Sequence, residues 1–113
     1  MSSPATAVIA ACCSPTAEAA LQPQQAEHLA ASFKALGDPT RLRLLSLIAS
    51  SEDGEACICD LTDPVGLSQG TVSHHMKILS SAGFITREQR GKWAYYAIAD
   101  GALEHAASAL RTL

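Results

Sequence analysis

The sequence predicts a mainly α-helical fold that carries one β-hairpin near its C-terminal end. Three observations carry this reading. Apolar residues recur at helical spacing from Leu29 onward, and a tight glycine turn at Gly66 separates two of the helical stretches. The segment "FITREQRGKWAYYAIA" then changes to strand-forming residues on both sides of a turn around Arg90-Gly91-Lys92.

Taken in order, residues 1–23 are mostly Ala, Ser, Thr, Pro and Gln, with prolines at Pro4, Pro15 and Pro23. Such a composition buries too little apolar surface to order itself, so a flexible arm is predicted there, followed by one folded domain over 24–113. Leu29, Phe33 and Leu36 predict a first helix closed by Gly37. "GDPTRLRLLSLIASS" restarts a helix, with Asp38 capping free N–H groups and Pro39 at the first position, where its missing donor costs nothing. Leu42, Leu45 and Ile48 or Ala49 are its expected inward stripe, and "SSEDGE" reads as a polar loop. A short helix is expected from about Cys59 to Val65, with Pro64 ending or distorting it. After the Gly66 turn, Ser68 caps "SQGTVSHHMKILSSAG", whose Val72, Met76 and Leu79 point inward. Helix, glycine turn and helix make a helix-turn-helix, and the hairpin beyond it makes a winged one. A final amphipathic helix follows in "GALEHAASALRTL".

The 113-residue chain has a formal charge of −3, which taken globally argues against nucleic acid. The distribution says otherwise. No Lys or Arg precedes Lys34, whereas 68–98 holds Lys77, Arg87, Arg90 and Lys92 against Glu88 alone, a local balance of +3. A basic patch on an acidic chain is a usable DNA footprint. So short a chain also gains readily from a dimer that shares one core.

"IAAC" superficially matches a lipoprotein cleavage site, but the preceding residues lack the positive region and long apolar stretch of a secretory leader. No run is long enough to span a bilayer, so a cytoplasmic location is expected, and its four cysteines then read as ligands or redox groups rather than disulfides. Two of them, Cys57 and Cys59, flank the start of the short helix; Cys12 and Cys13 lie in the arm. Residues two apart do not face one another on a regular helix, but at a helix start the chain bends enough to aim both sulfurs at one ion. Binding there would strain the element that positions the next helix.

Three segments, "FKALGDPTRLRLLSLI", "ACICDLTDPVGLSQGTVSHHMKILSSAGFI" and "RGKWAYYAI", together resemble the ArsR/SmtB family of bacterial metal-sensing repressors, over roughly Leu29 to Ile98. The resemblance implies a winged-helix homodimer that binds double-stranded operator DNA and leaves it when metal binds. It places Ser68, Gln69, Thr71, Ser73, His74 and Lys77 at the major groove and Arg87, Arg90 and Lys92 of the wing at phosphate or the minor groove. His75 divides between a DNA contact and a structural role.

The resemblance also implies a thiol site. Arsenic-responsive members carry a pattern like "CVCDLC", whereas "CICDLT" here has Thr62 in the third place. Cys12 and Cys13 are the expected suppliers of the missing sulfur to Cys57 and Cys59, within or across subunits. As(III) or Sb(III), which favour three sulfurs, are the expected inducers; Cd(II), Pb(II) or Zn(II) with four thiolates, or thiol oxidation, are the alternatives. The second, zinc-type site of some members is not expected, because Ala102 stands where its histidine would be and the spacing after His105 is wrong. His28 and His105 read as helix-surface residues near the dimer contact. Enzymatic Cys-His chemistry is not expected: there is no Gly-rich phosphate loop or carboxylate pair. A winged helix stapled by structural zinc would instead unfold with chelators.

Overall fold

The computed structural model describes residues 19–113. Among the described residues, five helices and three strands follow one another: α1 (Pro23–Leu36), α2 (Pro39–Ser50), β1 (Glu55–Cys57), α3 (Ile58–Val65), α4 (Gln69–Ser81), β2 (Ile85–Arg90), β3 (Trp93–Ile98) and α5 (Ala102–Arg111). A single 3₁₀ turn over Glu52–Gly54 leads into β1. The sheet is antiparallel in the order β1-β3-β2, so the hairpin's second strand is its centre.

The helix boundaries follow local chemistry. Pro39 opens α2, and the Asp38 carboxylate accepts the Arg41 N–H at 3.1 Å. α3 tolerates Pro64 because it falls in the last turn, where the lost donor breaks one hydrogen bond of an already ending helix. Gly66 then takes the left-handed conformation at φ 70°, and its N–H donates to Thr62 O at 2.9 Å. The Arg43 side chain donates to Pro64 O at 3.0 Å, tying α2 to the end of α3.

The core is where α2, α3 and α4 meet the sheet. Its fully enclosed side chains are Leu44, Ile48, Leu61, Val72, Met76 and Leu79. Each such burial is worth about 1.5–3 kcal/mol relative to an exposed side chain. Val72, Met76 and Leu79 orient α4, leaving its other face to solvent.

Two expectations are corrected. Leu42, placed inward by the sequence pattern, is 52% exposed, and Leu44 is buried instead. Positions two apart lie on nearly opposite sides of a helix, and α3 and the sheet pack on the Leu44 side. The stretch read as loop and helix start contains β1, whose three residues pair with β3 as Glu55↔Ala97, Ala56↔Tyr96 and Cys57↔Tyr95. Three residues are too few for an alternating pattern, and their partner lies about forty residues away along the chain.

Candidate nucleic-acid interface and thiol pair

α4 starts at Ser68, whose hydroxyl oxygen accepts the Thr71 N–H at 3.2 Å and whose O–H donates to Thr71 Oγ1 at 3.0 Å. This cap satisfies a free helix donor and fixes the start of the outward face. Ser68, Gln69, Thr71, His74 and Lys77 are exposed, and Ser73 is half-buried. A Cβ at Gly70 would meet nothing within 4 Å, so packing within the chain does not demand a glycine there. His75 turns inward: its Nδ1 lies 3.1 Å from Arg41 Nη1, and Arg41 Nε donates to Ala35 O at 2.6 Å. An arginine N–H only donates, so this histidine nitrogen accepts, and Arg41 of α2 thereby bridges α4 to the end of α1.

The three wing cations occupy different settings. Arg87 donates to the neutral Gln89 side chain at 2.7 Å, leaving its charge uncompensated, and with Lys77 it borders a cleft of about 370 Å³ between α4 and the sheet. Lys92 is exposed in the turn beside Gly91, which has φ 62°. Arg90, expected at the DNA, is clasped by its own chain. Its Nη2 donates to Glu55 Oε2 at 3.0 Å and to Glu88 Oε1 at 2.6 Å, its Nε donates to Glu88 at 3.0 Å, and its Nη1 pairs with the other Glu55 oxygen. The guanidinium also lies 4.5 Å from the centre of the Tyr95 ring. The Arg90 hydrogen bond holds the Glu55 carboxyl below the usual range, and Glu55, then Glu88, raise the Arg90 value.

Tyr95 pairs with Cys57 on one side and Glu88 on the other, so the clasp and the cysteine pair meet at one residue of β3. Cys57 is the N-cap of α3 with extended backbone (φ −71°, ψ 144°), and its sulfur accepts the Cys59 N–H at 3.2 Å. That bend brings the Cα atoms to 5.1 Å, and the two sulfurs are joined as a disulfide where the sequence reading expects free thiols. Cys57 is buried and Cys59 exposed, so the pair opens to solvent on one side. Thr62 donates to Cys59 O at 3.5 Å, one turn further along α3.

Cys12 and Cys13 lie outside the described residues. Among the described residues, no group of three or more His, Cys, Asp or Glu gathers in a metal-holding arrangement. His28, Asp100 and His105 border one cavity between α1 and α5 without forming such a group. Two soft sulfur donors side by side fit a thiophilic centre, but supply only part of its coordination.

The residues of this region that the sequence did not single out are Arg41, Glu55 and Tyr95. Only Arg90's clasp left a trace in the sequence: Glu88 sits two positions earlier and so on the same face of its strand.

A glycine-turned helix pair with an exposed polar face on its second helix, flanked by a basic hairpin, defines a winged helix-turn-helix nucleic-acid-binding protein. The model for bacterial regulatory proteins of the arsR family matches residues 38–87. Over 74 residues the chain is 45% identical to an uncharacterised HTH-type transcriptional regulator of Methanocaldococcus jannaschii, covering 66% of this chain and 81% of that one. It is 41% identical over 68 residues to the arsenical resistance operon repressor of Bacillus subtilis, covering 60% and 63%. It is also 35% identical over 80 residues to a homologue of the cadmium resistance transcriptional regulatory protein of Staphylococcus aureus, covering 71% and 64%. The match thus spans just under two thirds of each of the latter two proteins. A crystal structure of an ArsR family transcriptional regulator superposes with a TM-score of 0.67 at 27% identity, over 81% of this chain and 88% of that one. The chain belongs to the arsR family of bacterial regulatory proteins, which are DNA-binding transcriptional regulators and not enzymes.

Proposed function

We propose that the chain is a homodimeric, cytoplasmic repressor that leaves its operator when As(III) or Sb(III) binds cysteine thiolates. The observation that carries this reading is the convergence of the Cys57 and Cys59 sulfurs at the N-cap of α3, the first helix of the helix-turn-helix. α3 packs its enclosed Leu61 in the same core as Val72 and Met76 of α4. A ligand that reshapes the start of α3 therefore acts on the orientation of the reading helix. By linkage, an inducer that binds the DNA-bound form more weakly lowers operator affinity by the same factor.

In its reduced form the chain offers Cys57 and Cys59, and one thiol of the Cys12-Cys13 pair completes a three-sulfur set. The arsenical resistance repressor among its relatives supports a metalloid; the cadmium relative supports a Cd(II), Pb(II) or Zn(II) site built from all four thiolates. Ser68, Gln69, Thr71, Ser73, His74 and Lys77 face the major groove, and Arg87 and Lys92 reach phosphate. Leu103, Leu110 and Leu113, exposed on or just beyond α5, and Leu21 ahead of α1 supply apolar surface for the dimer contact. No helix among the described residues is long and apolar enough to cross a membrane.

The Cys57–Cys59 bond favours a second reading, a redox switch in which peroxide takes two electrons from the thiols. The deciding experiment is fluorescence anisotropy of reduced protein on an operator duplex obtained by selection from random sequence. It is run with arsenite, cadmium or peroxide, and repeated on Cys12→Ser/Cys13→Ser. Release by arsenite that the double variant loses supports the three-sulfur metalloid site. Release by cadmium or lead alone supports the four-thiolate sensor. No response to any metal refutes metal sensing, and release by peroxide in that case supports the redox switch.

A further inference from the structure

On the flank of α4 away from the wing lies an open cleft of about 560 Å³, between the C-terminal half of α1, the start of α2 and α4. Alanines of α1 and Ile78 of α4 line it together with His74, its cationic side chains are Lys34, Arg41 and Lys77, and among the described residues no carboxylate borders it. In a chain of net charge −3, this is a marked local departure. Arg41 is already engaged by Ala35 O and His75. Lys34 and Lys77 are exposed, and among the described residues neither forms an ion pair.

We propose that this cleft seats a backbone phosphate of the operator, with Lys34 as a DNA contact supplied by α1 from outside the helix-turn-helix. A helix lying in the major groove has a phosphate wall on each flank. On one flank Arg87 and Lys92 of the wing meet that wall. On the other, Lys34 is the free cation, while Lys77, which borders the wing-side cleft as well, and His74 belong to the exposed reading face itself. Lysine suits such a contact as a mobile point charge that needs no fixed fork geometry. The contact positions the protein on the duplex and carries no base information.

This inference rests on α4 being the reading helix, so its test includes a variant of that helix. Parent, Lys34→Gln, Lys34→Arg and Gln69→Ala proteins are titrated onto operator and random duplexes across about 50–200 mM salt, the range in which counterion release is resolved. Lys34→Gln is expected to weaken both duplexes by the same factor and to make the log–log salt slope shallower by about 0.9 per bound protomer. Lys34→Arg is expected to keep both slope and affinity. Gln69→Ala is expected to weaken the operator selectively. A Lys34→Gln protein with parental thermal midpoint and parental slope overturns the phosphate seat while leaving the reading helix intact. If Gln69→Ala keeps full operator preference, the assignment of α4 fails instead, which the salt slopes of the Lys34 variants do not report.

Discussion

The three basic residues of the wing are expected to contribute unequally to DNA binding, and replacing each by glutamine measures this. Arg87 and Lys92 face solvent and, among the described residues, have no carboxylate partner, so each is free to displace a counterion from a phosphate. Arg90 already spends its guanidinium on Glu55 and Glu88. Losing one phosphate contact makes the slope of log affinity against log salt shallower by about 0.9. For a dimer contacting DNA with both wings the change is about 1.8, which across a fourfold salt range is about a 12-fold difference in affinity. Arg87→Gln and Lys92→Gln should each show a change of that size, and Arg90→Gln should show little. Glu55→Gln/Glu88→Gln, which frees Arg90, should steepen the slope. The assay is anisotropy titration on one operator duplex at a series of salt concentrations, with thermal midpoints as folding controls. If Arg90→Gln flattens the slope as much as Arg87→Gln, the clasp does not withhold Arg90 from DNA and the reasoning fails.

Leu61→Ala, at a position 1% exposed between the helices of the turn, should cost about 2–5 kcal/mol in urea unfolding, and a loss well under this would place Leu61 outside the load of the core. Ser68→Ala removes the acceptor for the Thr71 N–H and should cost about 1 kcal/mol, read from the denaturation midpoint at constant slope. Acidification should destabilise the fold through two carboxylates. The Arg41 N–H, with its charge, holds Asp38 below its ordinary 3.8, and Arg90 holds Glu55 below its ordinary 4.5. A depressed folded-state value contributes stability above the ordinary value and loses it as pH falls through the lower one. Thermal midpoints should therefore fall as pH drops below about 4.5, and Asp38→Asn should fall less steeply over the same window.

Much of this molecule was legible before folding was considered, because local chemistry dictates it. Asp38 with Pro39, Ser68 and Gly66 mark helix ends through hydrogen bonds or backbone angles set within four residues. The inward set Val72, Met76 and Leu79 follows from helical period alone. The hairpin about Gly91 follows from turn chemistry between two strand-forming runs. The closeness of Cys57 and Cys59 was within reach too, since a helix N-cap is where the backbone bends.

The remaining features depend on partners distant in the chain. Leu42 and Leu44 are chemically identical, so only the arrival of α3 and the sheet on one side of α2 decides which is buried. β1 exists because β3 offers it a ladder, not because three residues favour a strand. Arg90 meets Glu55 across 35 positions and Arg41 meets His75 across 34. Composition and spacing determined that this chain is a basic-winged helix-turn-helix with a cysteine pair at the start of its first helix. Tertiary structure decided which charges stay free for DNA, because a cation's availability depends on the carboxylate that folding brings to it.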